Sequence, residues 1–275
     1  MNKILPLLAF MWTTQIVLSQ NLSEKNIEEI IEGYTASIEM ATVIKDCGHV
    51  LDGPTFIAKQ FENRLLDASV HFSAKQRKTL ATDIFNDMIK YKKVLEYHPS
   101  KSQVLDIITK LTNQLQFKKV NYHLTIIDSQ EINAFTTMGG YIYITTGLLD
   151  FVDTYDELAF IIGHEIAHEY KLHTQRKVTK LLFSSSLLKI IQFEDFKKMA
   201  LTINSSVSAP FDQIDEYEAD KYGVLLAKNA GYDVKHFGDF FEKLEKYEKR
   251  DLLTKLKSTH PFALHRKKCI DQYVD

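Results

Sequence analysis

The chain has 275 residues, of which 25% are charged and 45% hydrophobic, and its formal net charge is −2. This length is sufficient for one large domain or two small ones with a sizeable core. The near balance of 34 basic and 36 acidic side chains excludes the strongly basic surface of a nucleic-acid-binding protein. Short basic clusters such as Lys118-Lys119 and Arg266-Lys267-Lys268 are typical of a solvated surface, and no nucleic-acid partner is expected.

The N-terminus has the pattern of a targeting segment. Lys3 precedes an apolar stretch at residues 4–10, and Val17-Leu18-Ser19 offers a small-residue cleavage site. Residues 1–19 are therefore predicted to be a signal peptide, and the protein is expected to be periplasmic or secreted. Polar residues at 13–15 interrupt the apolar run and disfavour an uncleaved anchor, so no stable membrane insertion is expected after cleavage.

Cys47 and Cys269 are the two cysteines of the chain, and their spacing excludes a CxxC-type metal site. In an oxidising compartment they could form a disulfide that ties the N-terminal helices to the C-terminus. Two buried thiols are an equally open alternative, because a sequence does not show whether two Cβ atoms approach each other.

Residues 20–117 are predicted to form an N-terminal helical region, because apolar residues recur there at helical spacing. Gly53-Pro54 and His98-Pro99 interrupt the helical pattern. Residues 118–275 are predicted to form the core domain. It begins with three short strands at 123–127, 132–136 and 141–145, the last two joined by a turn at Met138-Gly139-Gly140.

After the strands the pattern is again helical, apart from a small, polar loop at residues 205–210. The predicted fold class is α+β and mostly helical, with a small antiparallel sheet. Thr154 is predicted to cap a helix whose third residue is Glu157, and a largely apolar run follows. This helix is apolar enough to be buried.

The capped helix contains the sequence GHEIAHE at residues 163–169. His164 and His168 are four positions apart and therefore lie on one face, where both can bind one metal ion. Glu165 lies beside them and is placed to take a proton from water, as in the HExxH motif of zinc hydrolases. The alternative is an ordinary buried helix. It is disfavoured because unsatisfied buried histidine and glutamate side chains cost free energy.

A catalytic zinc needs a third protein ligand. In metzincins that ligand is a histidine six positions after the second one, but Thr174 occupies this position. His173 precedes it and would lie on the wrong face if the helix continued. Glu216 is the better candidate, since Asp220 follows one turn later and can accept a hydrogen bond from a ligand histidine. An acidic, exposed helix face is the alternative for this segment alone.

Four motifs in order resemble one known family. GHEIAH at 163–168 and EYEAD at 216–220 are two of them. Residues 133–149, NAFTTMGGYIYITTGLL, are similar to the family's NAF and GGYIYVT-GLL stretch, and residues 258–261, STHP, followed by Arg266, are similar to its THP…R element. The chain resembles the HtpX, BepA and CAAX-prenyl-protease (Ste-type) group of gluzincin zinc metallopeptidases, in a compact secreted or periplasmic form. The resemblance implies a zincin-like metalloprotease domain with an HExxH active-site helix.

The resemblance also implies roles for the motif residues. His164, His168 and Glu216 would bind one Zn²⁺ per chain, and Glu165 would act as general base. Asp220 would hold a ligand histidine, His164, from behind. Manganese or cobalt could replace zinc with ligands of this kind.

Three further expectations follow from the family. An extended substrate would add as a strand to the edge formed by Asn133, Ala134, Phe135 and Thr136. His260 would lie near the metal, where it aids oxyanion stabilisation or occupies the open site in a latent state; the alternative is a turn histidine before a proline. Arg266 would belong to the same catalytic region.

Two departures from the family concern the cleft and the domain content. Asp212 and Gln213 stand where the family often has Ser-Arg, so that part of the cleft is expected to differ. No long repeat domain and no internal membrane span are expected.

The expected function is a zinc-dependent endopeptidase that cleaves peptide bonds in proteins, with unfolded or misassembled envelope or secreted proteins as substrates. A protein or peptide substrate is the expected partner. The alternative is a non-catalytic, chaperone-like module that binds clients at the edge strand and uses zinc for structure. Glu165 favours the enzyme, because a structural zinc site has no use for a base.

Overall fold

The computed structural model describes residues 73–117, 120–184, 212–247, 250–253, 256, 260 and 263–274, together with single positions between 57 and 67. The predicted signal peptide at 1–19, Cys47 and the predicted loop at 205–210 lie outside the described residues. Among the helices in the described part of the chain, none is both long and apolar enough to cross a membrane.

Helices dominate the described chain, which confirms the predicted fold class. They are α1 (Ala74–Lys90), α2 (Lys101–Thr112), α3 (Thr146–Phe151), α4 (Tyr155–Tyr170), α5 (His173–Ser184), α6 (Gln213–Asn229), α7 (Asp239–Lys246) and α8 (Ala263–Val274), with a 3₁₀ turn at Arg250–Leu253. The break predicted at His98-Pro99 falls between α1 and α2.

A four-stranded sheet lies beside these helices. Its strands are β1 (Val94–Leu95), β2 (His123–Ile127), β3 (Ala134–Thr137) and β4 (Tyr141–Thr145), in the spatial order β1-β2-β4-β3. The β3 and β4 strands form an antiparallel hairpin whose loop contains Gly139 and Gly140 at φ +90° and +84°, a conformation that favours glycine.

The sheet is mixed, which corrects the expectation of purely antiparallel strands. The β2 and β4 strands run parallel, with His123 opposite Tyr141. The chain leaves β2, passes to the far edge to form β3, and returns through the hairpin, so β4 has the same direction as β2. The two-residue strand β1, which pairs antiparallel with β2, was not predicted.

One hydrophobic core joins α2 to the rest of the domain. Val104, Ile107 and Leu111 on α2 belong to the same buried cluster as Ile162 on α4 and Val224 on α6. The core therefore continues across the boundary predicted between residues 117 and 118.

The C-terminal helix carries one of the two cysteines. Cys269 on α8 is buried and disulfide-bonded, which excludes a free thiol at this position. Its candidate partner in the sequence, Cys47, lies outside the described residues.

The helices α4 and α6 cross at two glycines. A Cβ atom on Gly163 would lie 3.0 Å from the carbonyl oxygen of Gly223, and one on Gly223 would lie 2.8 Å from the backbone nitrogen of His164. The two backbones can approach this closely only because neither residue has a side chain. The crossing therefore brings His164 on α4 within reach of Asp220 on α6.

Candidate metal centre

The site is built on α4, which begins where the sequence predicts. The hydroxyl oxygen of Thr154 accepts a hydrogen bond from the backbone N–H of Glu157 at 3.1 Å. The Glu157 carboxylate in turn accepts one from the backbone N–H of Asp153 at 2.7 Å. From this start the helix runs into the core, and residues 158–169 are all buried. The HExxH side chains consequently lie in the protein interior.

Four side chains converge at the crossing of α4 and α6. Donor atoms of His164, His168, Glu216 and His260 all lie within 4.8 Å of one another. The Nε2 atoms of His164 and His168 are 2.9 Å apart, and the His168 Nε2 is 3.3 Å from Glu216 Oε1. We call these four residues the metal cluster.

The metal cluster fits a zinc ion. His164 Nδ1 lies 2.9 Å from Asp220 Oδ1 and donates to this carboxylate, so its Nε2 carries a lone pair. Burial and the neighbouring His164 ring lower the pKa of His168, which keeps its ring neutral. Two imidazole nitrogens and a carboxylate oxygen this close together are ligand types that zinc accepts. The spacing is close to the roughly 3.3 Å between two nitrogen ligands of a tetrahedral zinc.

Glu165 lies beside the metal cluster and is buried. Its Oε2 has no hydrogen-bond partner among the described residues, and its Oε1 is 3.6 Å from His260 Nε2. Burial raises the pKa of Glu165, although His260 and His164 oppose the rise. A carboxylate with a raised pKa and an available oxygen is suited to accept a proton.

Arg266 is buried beside the metal cluster, against two carboxylates, so the solvated surface expected for the Arg266-Lys267-Lys268 cluster is wrong at Arg266. Its Nε and Nη2 atoms donate to both oxygens of Asp220 at 2.7 Å, and its Nη1 lies 2.5 Å from Glu216 Oε2. Burial alone would raise the pKa of each carboxyl group, but the guanidinium charge is among the interactions that outweigh burial and lower both values. Arg266 therefore keeps Glu216 and Asp220 ionised and oriented.

His260 comes from a distant part of the sequence and lies inside the metal cluster. Its Nδ1 is 3.2 Å from Glu216 Oε1 and 3.3 Å from His164 Nε2. The ring is buried. The backbone of His260 lies in a bend while its ring packs among the other residues of the metal cluster, and its role stays a prediction.

Comparison with known proteins identifies the family. Residues 99–274 match the family model of Peptidase family M48. The chain belongs to this family. Metallopeptidases of family M48 use zinc, and the buried metal cluster could hold a metal ion.

Several curated relatives are similar to the M48 region. Metalloendopeptidase OMA1, mitochondrial, of Bos taurus is 29% identical over 57% of this chain and 33% of the relative. Mitochondrial metalloendopeptidase OMA1 of Arabidopsis thaliana is 31% identical over 56% of this chain and 32% of the relative. Beta-barrel assembly-enhancing protease of Escherichia coli (strain K12) is 26% identical over 49% and 30%, respectively. The chain thus matches about a third of the length of these relatives. The predicted resemblance to gluzincin metallopeptidases is confirmed.

The relatives correct the predicted location. The OMA1 proteins of Bos taurus and Arabidopsis thaliana are named as mitochondrial, so the expectation of a periplasmic or secreted protein is wrong. That expectation depended on residues 1–19, which lie outside the described residues. A lysine followed by an apolar stretch does not by itself distinguish one targeting route from another.

His173 contacts His168 of the metal cluster, although a continuing helix was expected to place it on the wrong face. The α4 helix ends at Tyr170, and Leu172 adopts φ +64° before α5 begins at His173. This turn folds the His173 ring back against α4, where its Nδ1 lies 3.1 Å from the Nδ1 of His168. A left-handed leucine is uncommon, and no sequence signal pointed to it.

Glu218 on α6 contacts the other nitrogen of the His173 ring. Its Oε2 accepts a hydrogen bond from His173 Nε2 at 3.1 Å, and its Oε1 pairs with Lys171 at 3.1 Å. Burial would raise the pKa of Glu218, but the His173 hydrogen bond and the Lys171 charge outweigh it and lower the pKa to about 2. The sequence suggested Glu218 only as part of an acidic segment.

The predicted substrate strand is β3, which lies at one edge of the sheet and packs near α4. Within the described chain it pairs with β4 alone. Ala134 borders the cavity beside Glu165, whereas Asn133 and Phe135 line a separate small depression with Thr145. Substrate addition to this edge stays a prediction.

A largely apolar cavity adjoins the metal cluster. His164, Glu165, His260 and Arg266 supply its polar and charged lining. The rest of its wall is aliphatic and aromatic and includes Leu148, Phe160, Ile161, Phe241 and Leu244. A cavity of this kind favours an apolar group next to the reacting atoms.

Proposed function

We propose that this M48 domain is a zinc-dependent endopeptidase. His164, His168 and Glu216 bind the metal, and Glu165 is the general base. The observation that carries the proposal is the convergence of two histidine Nε2 atoms and a Glu216 oxygen beside a Glu165 oxygen with no described partner. Relatives that are named as metalloendopeptidases support it.

Zinc, when bound, polarises the scissile carbonyl and activates the attacking water. Glu165 accepts the proton of that water at Oε2 and later passes it to the nitrogen of the leaving amine. Asp220 holds the Nδ1 proton of His164, so the ring keeps its Nε2 lone pair directed at the metal cluster. His260, which lines the cavity with Glu165, donates a hydrogen bond from Nε2 to the developing oxyanion.

The proposed substrates are protein segments in an extended conformation. The backbone of such a segment pairs with the edge of β3, which requires that it has no secondary structure of its own. An apolar side chain next to the cleaved bond enters the cavity between Leu148 and Phe241. Unfolded or partly unfolded proteins present segments of this type.

The test compares wild type with Glu165→Gln, which preserves shape but removes the base. Zinc content and cleavage of casein are measured on the same preparations. We expect equal zinc content and a loss of cleavage in the variant. Full peptidase activity in zinc-loaded Glu165→Gln would exclude Glu165 as the base. Zinc binding without cleavage in either protein, together with protection of unfolded clients from aggregation, would favour the client-binding alternative.

A further inference from the structure

Two residues of other helices hold His168 through its Nδ1 atom, the ring nitrogen that does not face His164 and Glu216. His168 Nδ1 lies 3.1 Å from His173 Nδ1, and His173 Nε2 lies 3.1 Å from Glu218 Oε2. The His168 and His173 rings are both fully buried. We call this chain of contacts the His168 relay.

The polarity of the His168 relay follows from its acidic end. Glu218 accepts a hydrogen bond at Oε2, and Asp215 Oδ1 lies 3.7 Å from the same His173 nitrogen, so His173 Nε2 carries the proton. In a ring that carries a single proton at Nε2, Nδ1 is an acceptor. Since the facing atom is His168 Nδ1, that nitrogen must carry the proton and donate it. His168 Nε2 is left with a lone pair on the side of His164 and Glu216.

The two candidate histidine ligands are therefore held in equivalent ways. A carboxylate, Asp220, fixes His164 directly at 2.9 Å. Glu218 acts on His168 through the ring of His173, which lies between them. The backbone turn that makes this possible includes Leu172 at φ +64°, a conformation unfavourable for a residue with a side chain. Strain of this kind persists where the surrounding structure enforces it.

We propose that His173 is a positioning residue which, together with Glu218, holds His168 in the Nδ1-protonated form that binds a metal through Nε2. The inference rests on the proposed zinc site. It predicts that both residues raise zinc affinity without touching the metal, as partners behind a ligand histidine generally do.

Zinc dissociation constants, measured by competition with a chromophoric chelator, test the proposal. We expect His173→Leu to raise the dissociation constant by about 10- to 100-fold, and Glu218→Gln to raise it by less. In the double variant the loss should equal that of His173→Leu alone, because Glu218 acts through His173. His236→Leu is the control, since it makes the same change at an exposed histidine paired with Asp239.

A second measurement does not depend on variants. Nitrogen-15 spectra of histidine-labelled, zinc-free wild type should show His168 protonated at Nδ1 and His173 at Nε2. The opposite tautomer of His168 would overturn the proposal. If His173→Leu does not fold, Glu218→Gln and the tautomers decide: an unchanged zinc affinity in folded Glu218→Gln would also overturn it.

The outcomes separate this inference from the proposed function. A wild-type protein that binds no zinc contradicts the zinc peptidase itself. A wild type that binds zinc and cleaves casein, with His173→Leu binding zinc equally well, contradicts only the His168 relay. Additive losses from His173→Leu and Glu218→Gln would likewise contradict it.

Discussion

Gly163 and Gly223 are in backbone contact where α4 crosses α6, and this contact sets the distance between the two halves of the metal cluster. His164 directly follows Gly163, and Asp220 lies one turn before Gly223. Any increase in the separation of these helices moves the histidines away from the carboxylates that hold them.

Gly223→Ala is therefore expected to destabilise the domain despite the better helix propensity of alanine. The added Cβ would lie 2.8 Å from the backbone nitrogen of His164, which has no flexible end to move. Overpacking of this kind costs about 1–3 kcal/mol, against about 1 kcal/mol gained in propensity. Urea denaturation of the zinc-free protein measures the net effect.

Gly163→Ala is the matched comparison, because its Cβ would lie 3.0 Å from its nearest neighbour and is expected to cost less. Zinc affinity should fall in the same order. A Gly223→Ala protein with unchanged stability and zinc affinity would show that the crossing distance does not set the site.

The lowered pKa of Glu218 predicts a stability change at acidic pH. Because the folded-state pKa is about 2 and the ordinary value is 4.5, its stabilisation is complete above about pH 4.5 and is lost as pH falls towards 2. The shift corresponds to at most about 3 kcal/mol. Unfolding free energies of zinc-free protein should therefore fall more steeply over this pH range in wild type than in Glu218→Gln. Equal slopes of unfolding free energy against pH in the two proteins would contradict the lowered pKa of Glu218. Glu242→Gln is the control, because it makes the same change at an exposed glutamate.

His260→Ala is expected to reduce kcat by about 100-fold while the zinc dissociation constant changes little. The reason is that His260 Nε2 lies 3.6 Å from Glu165 Oε1 and both residues line the cavity, whereas three other candidate ligands remain for zinc. Steady-state cleavage of a quenched fluorescent peptide gives the value. Increased cleavage in the variant would instead identify His260 as a latch that closes the site.

The apolar cavity predicts the cleavage preference. Mass spectrometry of casein digested by wild type should place aliphatic or aromatic residues next to most cleaved bonds. Most of the cavity lining is apolar, and the guanidinium of Arg266 in it already pairs with Glu216 and Asp220. A synthetic peptide with Leu at the preferred position should be cleaved faster than the same peptide with Asp. Cleavage that is indifferent to this substitution would exclude the cavity as a specificity site.

Much of the site could be predicted because its residues lie at helical spacing within regular elements. His164, Glu165 and His168 share one turn of α4, and the cap at Thr154 fixed where that helix begins. Glu216 and Asp220 are likewise one turn apart on α6. Local periodicity is sufficient for relations of this kind.

The remaining parts depend on tertiary geometry. His173 was set aside because a continuing helix would turn it away, and the left-handed Leu172 that ends α4 leaves no pattern in the sequence. The parallel pairing of β2 with β4 depends on which edge β3 occupies. Arg266 was identified with the site, but its pairing with Glu216 and Asp220 appears only when α8 packs against α6.

The most direct test of the zinc site is an anomalous difference map collected at the zinc absorption edge from crystals of the purified protein. The account predicts one peak per chain, about 2.0–2.2 Å from His164 Nε2, His168 Nε2 and a Glu216 carboxylate oxygen. A zinc ion bound by other residues, or zinc-supplemented crystals with no peak at these three side chains, would contradict it.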